Sequence, residues 1–405
     1  MLSEQSAATV RATLPAVGAA IGEISARFYE RLFAASPELL RDLFNRGNQA
    51  SGTQRQALAG SIAAFAGHLV KPLGDRSESR SEDRPDAVLR RIAHKHASLG
   101  ITPEQYTVVH EHLFAAIAEV LGEAVTPEVG AAWDEVYWLM ANALIAIERE
   151  LYETGGAGGG WREWEVVGRV AETADVVALE LRPADGSPAP VHRAGQYVSV
   201  RVALPDGARQ IRQYSLAGAP GADTWRIGVK RVRGGAAPDG EVSNHLHAHV
   251  RVGDRLPVSS PYGDLVLDQD TGAPLLLASA GIGVTPMVAM LEQLALSGHP
   301  APVTVVHADR SPTRHALRSD QEGYAAKLAD ASVHFWYEEP EPGHPADRTG
   351  LADLSRLDVP AGTRAYLCGP LPFMRAVRAQ LLAKGVSPAD IHYEVFGPDL
   401  WLARS

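Results

Sequence analysis

Residues 155–160 read Gly-Gly-Ala-Gly-Gly-Gly, and a run with no side chain beyond a methyl group has nothing to bury in a packed layer. The chain must therefore fold as separate units on either side of it. The apolar period also changes there, from about 3.6 residues to about 2. These signals divide the 405 residues into a helical unit at 1–152, a linker at 153–160, a β-rich unit at 161–270 and a strand–helix alternation at 271–405. The expected fold class is multidomain: all-α, then an antiparallel β-barrel, then a doubly wound α/β domain.

A formal charge of −10 disfavours nucleic acid as a partner, because phosphates repel a net acidic surface. One cysteine, Cys368, excludes an internal disulfide and a thiolate metal cluster and suits a reducing cytoplasm. No apolar run approaches the ~18–20 residues of a membrane span. Glu4 and Arg11 interrupt any leader-like segment. The expectation is a cytoplasmic monomer acting on small molecules.

Within the first unit, Ser3 to Ala20 and Ile21 to Ala35 read as two helices. Ser36-Pro37-Glu38, Thr102-Pro103-Glu104-Gln105 and Thr126-Pro127-Glu128 are helix starts, with a cap, a first-turn proline and an acid at the positive end of the dipole. Val88, Ile92, His96 and Leu99 form one helical stripe, while His94 points nearly the opposite way. The period thus predicts His96 in an apolar interior and His94 in solvent. Such an imidazole can serve a metal, a haem iron included, or be a core histidine bonded to a backbone carbonyl. Tyr29 flanks an apolar stripe, Phe44 ends a short segment, and Gln54 begins the inward face that continues through Leu58 and Ile62. Each has an ordinary structural explanation; Ser51 and Gln54, for example, have capping-box spacing. Glu148 lies on a stripe with Tyr137, Leu144 and Leu151, either as a buried carboxylate or at a solvated helix end.

Short β-rich runs at Trp164–Val170, Val176–Leu181, Tyr197–Val202, Trp225–Val232 and Arg255–Val258 follow the linker. In Arg212-Gln213-Tyr214-Ser215, positions 212 and 214 share a strand face, so a guanidinium and an aromatic ring stand together. That pairing suits a flavin nucleotide: Arg212 for the pyrophosphate, Tyr214 against the ring system, the Ser215 hydroxyl near its N5. Gly240-Glu241-Val242-Ser243 opens a short helix, a second pyrophosphate contact through N–H groups. With Gly195-Gln196-Tyr197 upstream, the set resembles the ferredoxin-reductase type of FAD domain. Further on, a buried-strand run at 274–279 leads directly into Gly281-Ile282-Gly283-Val284-Thr285-Pro286 and a helix, a strand–glycine turn–helix context for a dinucleotide. The spacing departs from Gly-x-Gly-x-x-Gly, which disfavours a lactate-type dehydrogenase. Arg310 and Arg314 follow a strand end where a 2′-phosphate could sit, so the donor is left as NADH or NADPH.

Taken together, Arg27-Phe28-Tyr29, Leu43-Phe44-Asn45, Asn48-Gln49, Gln54-Arg55, Lys95-His96-Ala97-Ser98 and Pro103-Glu104-Gln105-Tyr106 resemble, in order, the globin domain of the flavohaemoglobins. The resemblance extends through the FAD and NAD regions and covers nearly the whole chain. It implies a nitric oxide dioxygenase in which NAD(P)H reduces FAD, FAD passes single electrons to haem b, and oxygen and nitric oxide become nitrate. It further implies His96 as the proximal iron ligand, Glu148 and Tyr106 supporting that imidazole, Phe44 against the haem, and Tyr29, Gln54 and Leu58 lining the distal side. Cys368-Gly369-Pro370 would lie near the nicotinamide. Glu394-Val395-Phe396-Gly397-Pro398 would carry the ring that covers the flavin. Lys95 and Glu394 match positions at the haem–flavin junction, although from the residues alone both read as solvated charges. A flavin-dependent reductase of ferric iron or quinones and a haem oxygen sensor or carrier are the alternatives. The charged stretch 72–85 is longer than the family's usual connection and reads as a mobile loop.

Overall fold

The computed structural model describes residues 2–71, 85–154, 160–234, 238–268 and 272–398. The stretch 72–84 and most of the glycine run, 155–159, lie outside the described residues.

The first unit is helical throughout: α1 (Glu4–Ala35), α2 (Pro37–Asp42), α3 (Arg46–Ala50), α4 (Thr53–Leu69), α5 (Pro85–Leu99), α6 (Pro103–Leu121) and α7 (Pro127–Thr154). The two helices expected at the start are one, with Pro15 inside it. An interior proline costs about 3 kcal/mol, but Val10, Val17, Ile24, Phe28 and Leu32 are buried along the whole length, and this continuous apolar stripe outweighs that cost. The capping pair at α6 forms, Thr102 N–H donating to Gln105 Oε1 at 2.9 Å. The one suggested at Ser51 and Gln54 does not. Gly52 occupies the α4 cap in a left-handed conformation with no side-chain bond, which leaves Gln54 free to face inward.

The second unit is a six-stranded antiparallel sheet of β1 (Arg162–Ala171), β2 (Val176–Pro183), β3 (Tyr197–Ala203), β4 (Arg209–Ser215), β5 (Trp225–Lys230) and β6 (Arg255–Val258), followed after β5 by α8 (Glu241–His249). The order is β4-β3-β6-β1-β2-β5, and a bridge from Leu216 to Ile227 joins the end of β4 to β5, closing the sheet into a barrel. Its interior is apolar, with Trp164 and Trp225 stacked at 3.8 Å between centroids.

The third unit is a parallel sheet ordered β11-β10-β7-β8-β9: β7 (Leu275–Ala280), β8 (Val303–Asp309), β9 (Ala331–Tyr337), β10 (Arg364–Cys368) and β11 (Ile391–Glu394), with α9 (Val284–Ser297), α10 (Arg318–Ala325) and α11 (Leu371–Ala383) as crossovers. β11 was not expected as a strand, because four residues carry too little alternation to read. Gly195 packs the barrel against this unit. Its φ is +107°, and a Cβ there would strike the Leu265 carbonyl and lie 2.6 Å from the Met290 methyl, so only glycine fits. Among the described residues no helix is long and apolar enough to cross a membrane.

Candidate functional site

One continuous cavity of about 1230 Å³ runs from the interior of the helical unit, past α5 and β4, to the Glu394–Pro398 segment. Its deep part is walled by apolar groups of α1, α4, α6 and α7, among them Ile24, Phe28, Leu58, Phe65 and Leu144.

His96 projects into this space from α5. Its Nδ1 lies 2.9 Å from Glu148 Oε1 and 2.9 Å from the Tyr106 hydroxyl, and Tyr106 donates to the same Glu148 oxygen at 2.5 Å. Tyr137 in turn donates to the Tyr106 carbonyl at 2.6 Å. Glu148 is 2% exposed, so it is no solvated helix end. Burial, reinforced by the Glu148 charge, pushes the Tyr106 phenol far above its ordinary range. With Nδ1 engaged, Nε2 is the nitrogen left to the cavity. One imidazole, positioned by a carboxylate against an apolar wall, fits the axial demand of a haem iron.

Across the cavity, Tyr29 is buried, and its ring meets Phe44 edge-on at 5.8 Å and 81°. Burial raises its phenol to about 12, opposed by the amides of Gln54 and Gln49 beside it. Gln49 belongs to the globin-like sequence pattern, but nothing in its spacing marks it as a site residue. Its amide atoms are buried and reach no protein partner at bonding geometry.

His94 is not in solvent. Its Nδ1 accepts the Gly263 N–H at 3.0 Å, and burial lowers its basicity. The helix period placed it opposite His96, but that side of α5 is covered by the second unit. The same covering overturns the solvated reading of Lys95 and Glu394. Lys95 donates to Gln213 Oε1, and burial brings its ammonium down to about 8, with Glu394 acting in the opposite sense. Glu394 is buried at the end of β11.

On β4, Arg212 and Tyr214 share a face as expected, and both line the cavity with Gln213 and Ser215. The Tyr214 and Ser215 hydroxyls are buried without a protein hydrogen-bond partner. Such orphaned groups call for a polar ligand, and flavin polar atoms fit. Tyr197 is buried and lines the same stretch. Gly240 caps α8, where a Cβ would lie 2.7 Å from Ser243 Oγ. Ser243 Oγ itself accepts from Val232 N–H at 3.1 Å and donates to the Gly240 carbonyl at 3.0 Å. Val242 is fully buried in the barrel core, so only its backbone is available to a ligand.

Gly281, Ile282 and Gly283 form a single tight turn leading into α9. A Cβ on Gly283 would land on the Cys368 carbonyl, so the glycine is what lets this turn and Cys368-Gly369-Pro370 meet. Ile282 and Thr285 reach the cavity. Val284, Pro286 and Cys368 have buried side chains, and burial pushes the Cys368 thiol up, which leaves it inert. Arg314 is tied to Asp175 at 3.4 Å, while Arg310 is exposed. Phe396, half-exposed at 43%, stands at the mouth of the cavity with Val395, Gly397 and Pro398.

The globin family pattern matches residues 26–144, and that of the oxidoreductase NAD-binding domain matches residues 277–379. The flavohemoprotein of Rhizobium meliloti (strain 1021) is 41% identical over 413 residues, covering 99% of this chain and 100% of its own. That of Bacillus subtilis (strain 168) is 37% identical with 100% of both chains covered. Among solved structures, the flavohemoglobin from Malassezia yamatoensis with bound FAD and heme superposes with a TM-score of 0.87 at 38% identity, over 98% of this chain and 100% of that one. The FAD/NAD-binding domain of nitric oxide dioxygenase from Vibrio cholerae O1 biovar El Tor matches at 37% identity and a TM-score of 0.54, over 59% of this chain and 100% of that one. With relatives so similar from end to end, the chain belongs to the flavohemoprotein family.

Proposed function

We propose that the protein is a NAD(P)H-dependent nitric oxide dioxygenase, with haem b in the helical cavity, FAD against β4 and α8, and the nicotinamide nucleotide at the α9 turn. The observation that carries this reading is the single cavity joining His96 to Tyr214 and Phe396, in which Lys95 of α5 bonds Gln213 of β4. When bound, FAD supplies the conversion of a two-electron hydride into single electrons, and haem supplies the iron at which oxygen meets nitric oxide to give nitrate.

The chain's own residues set the rest. His96 offers Nε2 to the iron, while Glu148 and Tyr106 hold the Nδ1 proton, fix the tautomer and increase the imidazole's donation. Tyr29, kept protonated by burial, presents a donor to the ligand side. Gln54 orients it, and Phe44 and Leu58 exclude water from the wall. Arg212 brings a guanidinium to the pyrophosphate, the Gly240 end of α8 brings N–H groups, and the Ser215 and Tyr214 hydroxyls face the ring system. Gly281, Gly283 and Thr285 receive the dinucleotide beside Cys368, Gly369 and Pro370. Phe396 occupies the entrance through which nicotinamide approaches. One buried thiol suits the cytoplasm.

The test is nitric oxide consumption in air with NADH or NADPH by the purified protein, with haem and flavin quantified and nitrate as the counted product. Stoichiometric nitrate is expected. Protein that holds both cofactors yet consumes no nitric oxide sinks the dioxygenase and leaves a flavin reductase.

A further inference from the structure

The strand that carries the flavin-side residues also holds the wall of the oxygen-side pocket. Gln210 is polar yet 0% exposed. Its Nε2 faces three carbonyls of the helical unit, Leu40 at 3.3 Å, Arg41 at 2.9 Å and Phe44 at 3.2 Å. Leu40 and Arg41 lie in the last turn of α2 and Phe44 just beyond it, where carbonyls lack helical partners, and here the donor comes from another domain. The Gln210 Oε1 accepts Arg212 Nη1 at 3.1 Å, and Arg212 Nη2 donates to Asn45 Oδ1 at 2.9 Å. The same Asn45 oxygen caps α3 by accepting Asn48 N–H at 3.2 Å. Asp42 accepts Arg209 N–H at 3.0 Å. The segment 40–45, which carries Phe44, is thus mounted on β4.

Positions 210, 212 and 214 share one strand face. A line of contact therefore runs from Tyr214 and Arg212 through Gln210 and Asn45 to Phe44, and from Phe44 edge-on to Tyr29. We propose that Gln210 is a positioning residue through which the flavin strand sets Phe44 and the ligand-side wall, so that ligand entry to the iron depends on flavin occupancy. This rests on the haem and FAD placements proposed above and adds a link that neither requires. The shared part is the Arg212 guanidinium. It now orients Gln210 and Asn45, and an anionic pyrophosphate competes for the same N–H groups. A buried amide cannot turn without leaving carbonyls unsatisfied, so a change at Arg212 is passed on rather than absorbed.

The experiment is carbon monoxide association after flash photolysis, on the reduced full-length haem protein with FAD removed and then restored. The wild-type rates with and without FAD should differ by about fivefold or more, the lower end of ordinary coupling between sites. Gln210→Met, equal in length but unable to donate, should reduce that difference to within about twofold while still taking up both haem and FAD. Asn45→Asp keeps the cap acceptor and holds Arg212 more tightly, so the FAD concentration that half-shifts the rate should rise several-fold. This variant carries the test if Gln210→Met does not fold. Equal wild-type rates, an undiminished difference in Gln210→Met, or an unmoved FAD dependence in Asn45→Asp each overturns the coupling. Wild-type protein lacking a Soret band or flavin overturns the placements instead.

Discussion

The Glu148 carboxylate and the His96 imidazole stand 2.9 Å apart in a pocket where the carboxylate is almost wholly buried. Glu148→Gln keeps the shape but removes the charge that draws on the Nδ1 proton. Haem should still bind, the iron–histidine stretching frequency should fall, and nitric oxide turnover should drop about 10- to 100-fold, the usual cost of losing such a supporting group. An unchanged stretching frequency would show that the carboxylate does not act on the imidazole.

His96→Ala should abolish stable haem binding, and His94→Ala should not. His94 still matters, because it accepts the Gly263 N–H between the first two units. Its loss should cost about 1–3 kcal/mol of stability by stranding a buried donor. Soret absorbance and thermal unfolding of the two variants give the answer. A His94 variant without haem beside a His96 variant that retains it reverses the assignment.

The contrast between these two histidines marks how far the sequence could be read. Periodicity tells which side of a helix a residue is on, and it separated His96 from His94 correctly. It does not tell what covers the other side. His94, Lys95 and Glu394 therefore read as solvated when they form the seam between domains. Glu148 was half legible: a carboxylate on an apolar stripe is conspicuous, but the stripe left a solvated helix end open, and only its burial decides between the two. Gln49 was not, because a five-residue helix has no period to place it. Gln210 could be put on the face of Arg212 by strand alternation, but its partners lie 166 to 170 residues away.

Burial holds the Tyr29 phenol at about 12, so it remains a donor across the working pH range. Tyr29→Phe should speed oxygen dissociation from the reduced holoprotein. One hydrogen bond to a partly anionic ligand is worth ~1.5–3 kcal/mol, or roughly 10- to 150-fold in rate. The wild-type rate should be flat from about pH 6 to 10, since the phenol does not titrate there. Stopped-flow dissociation that is unaltered in the variant would remove the tyrosine from the ligand side.

His315 and His307 stack at 3.8 Å in the core of the third unit. His315 is held by Tyr337 Oη at 2.9 Å and Gln321 Oε1 at 2.7 Å. Burial, with the His307 charge adding to it, brings His315 down to about 2. Between that value and the unfolded ~6.5, the unfolded chain binds a proton that the folded chain refuses. This contribution is therefore intact above about pH 6.5 and lost progressively as pH falls below it, on the order of 1 kcal/mol by pH 5.5. His315→Phe should lower stability at pH 7.5 through the lost bonds but flatten the decline toward pH 5.5. Parallel melting-temperature profiles for variant and wild type would contradict this.

Arg212 separates the two cofactors. Its guanidinium is mostly buried on β4 and bonds Asn45 and Gln210 rather than any group of the haem cavity's deep wall. Arg212→Ala should leave haem content near the wild-type level while FAD is lost, since a buried pyrophosphate forfeits its charge-assisted partner. Reduction of the haem by NADH should then slow in proportion to the missing flavin, and dithionite should still reduce it fully. Arg212→Lys keeps the charge without the planar fork and should retain part of the FAD. The measurement is the ratio of flavin to haem in each purified variant, alongside the rate at which NADH produces the reduced Soret spectrum. A variant that keeps its FAD but still fails to pass electrons would assign Arg212 to the path between the cofactors instead of to the binding of one.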